Sequence, residues 1–366
     1  MKMALISGPT KKDKRKNISV AQIRNILNPT GPLILLFALN CLIFTFVFFS
    51  ASYSLTIKPG KNYVFTSSQS LSGKLSISGA WALYPLVARW TEEFQKENPS
   101  AKIDLQAGGA GKGMADVLAG LVDMGMVSRA VYREELSRGA VPVAVARDAV
   151  VVTLNQRNPL LKLIMEKGIS REIFQAIWIE GRIKYWEEIF GLPGKTPIHV
   201  YTRSDACGAA ETWAAFLGAH QEDLKGIAIY GDPGLTEAVR RDPTGLGFNN
   251  LNFAYNPPTR KPHDGLAICP FDLNHNGRID PEENFYGGRD QLTAAIASGL
   301  YPSPPARELY LVVKRPLSNK LAREFLKWVL EEGQKLVEEC GYVALDKRSI
   351  EAEKEKLVSL SGQARK

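Results

Sequence analysis

"IHVYTRSDACGAAETWAAFLG" (Ile198–Gly218) reads as a strand, a turn of small residues and a helix. The β-branched start suits an extended segment, and the Ala-rich end suits a helix. Two earlier stretches share this pattern: "SISGAWALYPLVARW" (Ser76–Trp90) and "IDLQAGGAGKGMADVLAGLV" (Ile103–Val122). Strand and helix alternate, which argues for an α/β sheet with crossover helices. In open sheets of this kind ligands bind beyond the carboxyl ends of the strands. Helix N-termini there present unpaired amides and a partial positive charge. Glycine lets the backbone come close. Three such turns, with Lys112, Arg129 and Arg203 nearby, point to an anion held in a positively polarised cleft.

The chain has 366 residues and a net charge of +8. Before Leu33 stand Lys2, Lys11, Lys12, Lys14, Arg15, Lys16 and Arg24 against one acid, Asp13, so +6 of that charge lies there. The remainder is nearly neutral, which gives a nucleic-acid partner little support. "LILLFALNCLIFTFVFF" (Leu33–Phe49) carries no charge and, with its flanks, is long enough to span a bilayer. Basic residues before it place residues 1–32 in the cytoplasm and the main domain outside the cell, periplasmic or extracellular. The segment 33–54 reads as a retained single-pass anchor, with a cleaved signal ending at "SAS" (Ser50–Ser52) as the alternative, which would release a secreted protein. Residues 55–73 read as a polar, Ser-rich linker.

Further along, "VPVAVARDAVVVTLN" (Val141–Asn155) is dense in Val, as buried strands are. "LGFNNLNFAY" (Leu246–Tyr255) reads as a strand pair. "NKLAREFLKWVLEEGQKLVEECGYVAL" (Asn319–Leu345) reads as one long amphipathic helix with Leu321, Phe325, Trp328, Val329 and Leu336 on its apolar side. The four cysteines, Cys41, Cys207, Cys269 and Cys340, lack metal spacing; a Cys269–Cys340 bridge stays open. Cys207 at a helix start invites a reactive-thiol reading. No His stands near it in sequence, so packing is the expected role and no enzyme is expected. "GGAGKGM" is not a nucleotide loop, because Gln106 and Gly113 occupy the places that need Gly and a hydroxyl.

The segments "SISGAWALYPLVARW", "QAGGAGKGM…VDMGMVSR", "RSDACGAAETWAAFLG", "ASGLYPSPPARELYLVV" and "FLKWVLEEGQKLVEECGYVAL", in this order, resemble the phosphate-binding proteins of ABC transporters. These belong to the periplasmic-binding-protein superfamily. The resemblance runs from about Lys74 to Asp346. It implies a type II, two-lobed α/β fold with hinge strands and an oxyanion captured between the lobes. Residues 74–154 and 308–346 are expected to form lobe 1, and 155–307 lobe 2. The chain would cross near Leu154 and Glu308. Residues 347–366 are expected to be a polar tail. The implied partners are phosphate or a similar oxyanion and an ABC permease, with the protein a monomer tethered to the membrane.

Family loops that hold phosphate are rich in Ser and Thr. Here the first turn is Gly79, Ala80, Trp81, Ala82, the second carries Ala110, and the third reads Arg203 to Ala209 without a hydroxyl after Ser204. Hydrogen bonds to a charged ligand contribute roughly 1.5–3 kcal/mol each, so these losses weaken a family-type site. The expected ligand residues are Ala80, Trp81, Gly111, Lys112, Ser128, Arg129, Arg203, Cys207, Gly208 and Ala209. Two alternatives accompany this reading. One is a pocket changed to an organic anion, with Trp81 stacking on it or serving as core. The other is a degenerate pocket kept for protein contacts, in a sensor or scaffold.

"DLNHNGRIDPEE" (Asp272–Glu283) matches a calcium-binding loop of the EF-hand type. Asp272, Asn274, Asn276, Arg278 through its carbonyl, Asp280 and Glu283 fill positions 1, 3, 5, 7, 9 and 12, with Gly277 at the sharp turn. Pro270 argues against a full helix-loop-helix. A structural Ca2+ is expected, ordering the segment before the helix "RDQLTAAIASG" (Arg289–Gly299).

Overall fold

Lobe 1 begins with β1 (Gly73–Gly79), α1 (Tyr84–Glu97), β2 (Ala101–Ala107), α2 (Ala110–Ala119) and β3 (Met124–Val127). The computed structural model describes residues 71–360. The candidate span 33–54 and nearly all of the linker lie outside them; among the described residues no helix is long and apolar enough to cross a membrane. α1 starts with Pro85 in its first turn and buries Leu86, Trp90 and Phe94 on one face. β2 and β3 flank β1, both parallel to it, as crossover helices require.

β4 (Ala140–Asn155) carries the chain into lobe 2. That lobe holds β5 (His199–Arg203), α3 (Gly208–Phe216), β6 (Ile227–Ile229), α4 (Gly231–Arg241), β7 (Gly245–Asn250), β8 (Leu266–Ile268) and α5 (Arg289–Ser298). β9 (Ala306–Lys314) returns to lobe 1, where α6 (Lys320–Leu330) and α7 (Lys347–Leu360) follow. The strand order is β2-β1-β3-β9-β4-β7-β5-β6, with β8 beside β4. Antiparallel β4 and β9 therefore form the bridge between the lobes.

Two separate cores divide on these strands. One holds Ile77, Trp90, Val145, Ala146, Leu309 and Phe325. The other holds Ala149, Val150, Trp178, Trp213, Phe248 and Ala306. The first crossing thus falls between Ala146 and Ala149, not near Leu154, which lies in the second core. The β4–β9 register shifts between Ala144 and Ala146, just before the crossing. A bulge bends and twists a strand, which suits a strand passing from one core to another.

Three local expectations need correction. "LGFNNLNFAY" is a strand followed by one helical turn, Leu251–Ala254. Asp232 accepts from the Asn250 backbone amide (3.1 Å) and side chain (2.8 Å), which draws the chain out of the sheet. The long late helix breaks after Leu330. There Gly333 packs closely on Trp90, whose indole N–H donates to its carbonyl at 2.7 Å. The polar tail is α7, whose Leu357 and Leu360 are only 6% exposed in the lobe 1 core. Cys269 and Cys340 are free thiols, the first inside the lobe 2 core and the second against lobe 1.

Because α7 closes the lobe 1 core, Leu357→Ala is expected to lower stability by about 2–3 kcal/mol. The check is a lower urea midpoint at unchanged slope.

Candidate functional site

The three strand-to-helix turns meet at the junction of the lobes. The Gly79 carbonyl accepts from the amides of Gly108 (2.9 Å) and Gly109 (3.1 Å), joining the first turn to the second. The Gly111 amide, in the first turn of α2, donates to the Ala206 carbonyl of lobe 2 at 3.0 Å, joining the second to the third. Gly208, the first residue of α3, lies against Ser128: a Cβ there would stand 2.2 Å from the Ser128 carbonyl oxygen and Oγ. Gly109 has φ +91° and a Cβ there would meet the Ala206 oxygen at 2.7 Å. Glycine at these two positions is therefore a condition of the lobes meeting.

Arg203 ends β5 with its side chain fully buried. Nε and Nη2 donate to the two Asp205 oxygens (2.8 and 2.6 Å), and Nη1 donates to Asp232 Oδ2 (2.5 Å). Burial works against this charge, but Asp232 and its neighbours outweigh it and raise the guanidinium pKa. Asp205 Oδ1 also accepts from the Gly231 amide at 3.1 Å. Arg129 donates to both Glu135 oxygens (2.9 and 2.6 Å) and to the Ala130 carbonyl (2.8 Å), and lies 4.1 Å over the Tyr132 ring. Burial opposes its charge too, and Glu135 restores it above the ordinary value. Lys112 pairs with Asp116 of its own helix, which also accepts from Ser78 Oγ at 2.6 Å.

The expected basic residues are all placed at or beside the junction, yet each is matched by an acid. Glu211 stands there as well and hydrogen-bonds Tyr132, whose phenol burial pushes up to about 12. The cleft is a layer of matched charge, which corrects the expectation of a positively polarised one. Two amides expected to be open are also engaged: Gly111 with Ala206, and Ala80 with the Met126 carbonyl at 2.9 Å. Cys207 caps α3, its Sγ accepting from the Ala210 amide at 3.3 Å. Burial pushes its thiol up to about 12, so it stays neutral and unreactive. Ala209 is buried in the lobe 2 core. Trp81 packs on rings of both lobes, Tyr84 from lobe 1 and Tyr230 and Phe253 from lobe 2.

Four residues of this layer were missed by sequence reasoning. Asp148 and Arg307 are register partners on β4 and β9, joined at 2.9 Å. Arg307 also donates to the Gly208 carbonyl (2.7 Å), to Thr212 Oγ1 (3.0 Å) and to Asn250 Oδ1. Burial raises the Asp148 pKa against the pull of Arg307. Asp232 and Asn250 complete the layer. One carboxylate inside a Val-rich strand was a readable sign of a buried partner; Asp232 and Asn250 gave none.

Beside the three turns is an opening of ≈ 390 Å³, lined by Gly111, Arg129, Tyr132, Cys207 and Glu211 among others. A larger cavity of ≈ 440 Å³ lies between α5 and the Glu338–Val343 segment. None of the three turns reaches it, so the candidate site is the cleft.

In the loop Asp272–Glu283, Gly277 has φ +75°. Asp272 accepts from the amides of Asn276 (3.1 Å) and Gly277 (3.0 Å). Glu283 accepts from those of Leu273 (2.8 Å), Asn274 (3.0 Å) and Asp280 (3.2 Å). Asp280 Oδ2 accepts from the side-chain amides of Asn274 (2.9 Å) and Asn276 (2.7 Å), which hold its carboxyl below the usual range. Arg278 keeps its guanidinium outward on Asp280. Among the described residues no group of three or more His, Cys, Asp or Glu stands close enough to hold a metal ion. The loop's oxygen donors are turned toward its own amides.

A model of the PBP superfamily domain matches residues 66–332. The phosphate-binding protein PstS of Bacillus subtilis is 31% identical over 275 residues, covering 74% of this chain and 81% of that protein. PstS of Methanocaldococcus jannaschii is 26% identical over 313 residues, covering 71% and 79%. A solved structure, a putative phosphate ABC transporter substrate-binding protein with bound phosphate from Clostridium perfringens, superposes with a TM-score of 0.61 at 21% identity. It covers 75% of this chain and 100% of that one.

Removing one partner from a buried ion pair leaves an uncompensated charge, at a cost of about 3–5 kcal/mol. Asp232→Ala is expected to lower the unfolding free energy by about that much, and Asp232→Asn by less. Urea denaturation compares the two.

Proposed function

The chain belongs to the PBP superfamily, and from that premise we propose that it captures phosphate or a related oxyanion between its lobes for an ABC importer. It is a binding protein, not an enzyme. The observation that carries the reading is the meeting of three strand-to-helix turns over the buried Arg203. The names of the two PstS relatives support phosphate as the first ligand to test.

In this reading the first-turn amides of α2 and α3 are the donors, aided by the helix dipoles. Gly111 exchanges the Ala206 carbonyl for the ligand, so arrival of an anion replaces one hydrogen bond with another. Arg203 holds the third turn in place through Asp205 and contributes little net charge. Without the family's hydroxyls the affinity is expected to be modest. The internally satisfied donors also favour a second reading, in which the cleft binds no small anion and serves protein contacts.

We further propose that 33–54 anchors the domain outside the membrane, supported by its uncharged composition and basic flank. The loop 272–283 is proposed to hold a structural Ca2+. Asp272, Asp280 and Glu283 would supply carboxylates, Asn274 and Asn276 their amide oxygens after a flip, and Arg278 its carbonyl. The ion would tie this loop, anchored by the Ile279 amide on the Glu166 carbonyl (2.9 Å), into lobe 2.

Two tests follow from this. Titration with phosphate in a calorimeter is expected to give saturable heat and a raised melting temperature, with Arg203→Met losing both; sulfate is the comparison ligand. No response to either anion removes the capture reading and leaves the second. A chelator is expected to lower the melting temperature of the wild type but not of Glu283→Gln. Equal melting with and without calcium removes the metal.

A further inference from the structure

Trp81 sits on the first turn of lobe 1 and reaches across to lobe 2. Its ring meets Tyr230 edge-on at 6.5 Å and Phe253 edge-on at 6.4 Å. Its Cε2 and Cζ2 lie 3.4 Å from where a Cβ would stand on Gly231, an ordinary contact distance that leaves no room for a ligand ring between them. The Gly231 amide holds Asp205, and Asp205 holds Arg203, so the indole lies against a residue that braces the ion-pair layer. The other five tryptophans serve the separate cores. Trp90, Trp178, Trp186 and Trp213 are fully buried, and Trp328 packs on Phe94 and Phe325. The turn that carries Trp81 has no hydroxyl.

We propose that Trp81 is the clasp that holds the cleft closed. Its aromatic contacts with lobe 2 supply closure free energy that hydroxyl hydrogen bonds do not supply at this turn. Each edge-to-face pair shifts an equilibrium by roughly two- to tenfold, so two pairs across one cleft amount to roughly four- to a hundredfold, with about tenfold in the middle of that range. The lobes already meet without ligand, so these contacts set how often the lobes part and how long a captured ligand is held, more than its equilibrium affinity. Trp81 is a positioning residue, acting through the lobes. Only the statement on ligand release rests on the oxyanion reading; the closure statement does not.

The reporter is the Gly111 amide, which donates across the cleft to Ala206. Hydrogen exchange on the full chain, without ligand, reads how often that bond opens. Trp81→Ala is expected to speed exchange in peptides covering Gly108–Gly113 about tenfold, with core strands unchanged. Trp81→Phe is expected to restore most of the protection. Tyr230 is 61% exposed, so Tyr230→Ala leaves the core intact and is expected to speed the same peptides by roughly two- to tenfold. If Trp81→Ala fails to fold, Tyr230→Ala decides alone. Wild-type exchange in the folded variants overturns the clasp. Stopped-flow release of inorganic phosphate is the second arm, with the release rate expected to rise about tenfold for Trp81→Ala. A wild-type protein that binds phosphate, with an unchanged release rate in Trp81→Ala, also overturns it. A wild-type protein that gives no phosphate heat overturns the oxyanion reading, and exchange then judges the clasp.

Discussion

One buried layer of charge ties lobe 2 to the crossing strands. Arg203 ends β5, Asp232 lies in the first turn of α4, and Asp148 faces Arg307 on the crossing strands. Asn250 joins the two pairs, donating to Asp232 and accepting from Arg307. Taking an ion from water costs several kcal/mol unless a well-placed partner returns it. Here the partners are shared, so the layer acts as a set. The third turn is held from the hinge side through Arg307, which grips the Gly208 carbonyl at 2.7 Å. Where the amides of α3 stand is thus decided by residues on β9, far from them in sequence.

The fold was legible because its signals are local. Small residues at strand ends, an apolar face every fourth residue and a Val-rich run each report on nearby backbone. The breaks were legible only in hindsight. Gly333 ends a helix because Trp90 needs its carbonyl, and Trp90 lies 243 residues away. The turns themselves were placed correctly from sequence, but their charge was not. Lys112 and Asp116 are four apart on one helix, a pairing that spacing allows one to read. The partners of Arg203 at position 232 and of Arg307 at position 148 come from topology, and no spacing marks them. A count of basic residues near a turn therefore overstated the field a ligand meets.

Lobe 2 also draws rigidity from aromatic packing. Trp178, Trp213, Phe248, Phe271 and Phe174 meet in edge-on and stacked pairs beneath α3. Such pairs add roughly 0.5–1.5 kcal/mol each beyond their buried area. The Asp272–Glu283 loop follows directly on Phe271, a member of this cluster. Order in the loop and order beneath the third turn are therefore continuous.

Matched arginines change what the cleft can select. In the proposed reading an anion would gain hydrogen bonds there but little net Coulomb attraction, so donor geometry would govern discrimination. Backbone amides only donate, whereas hydroxyls also accept. Phosphate near neutral pH carries at least one proton, and that proton needs an acceptor. In the proposed reading the acceptors there would be the Ala206 carbonyl, once freed from Gly111, Glu211 in the lining of the opening, and Asp205, whose oxygens already serve Arg203 and Gly231. Arg129 offers no acceptor and is itself tied to Glu135. A protonated oxyanion would therefore bring its proton to the carbonyl or to Glu211, or compete for Asp205. Discrimination between phosphate and sulfate would thus rest on these few oxygens rather than on net charge.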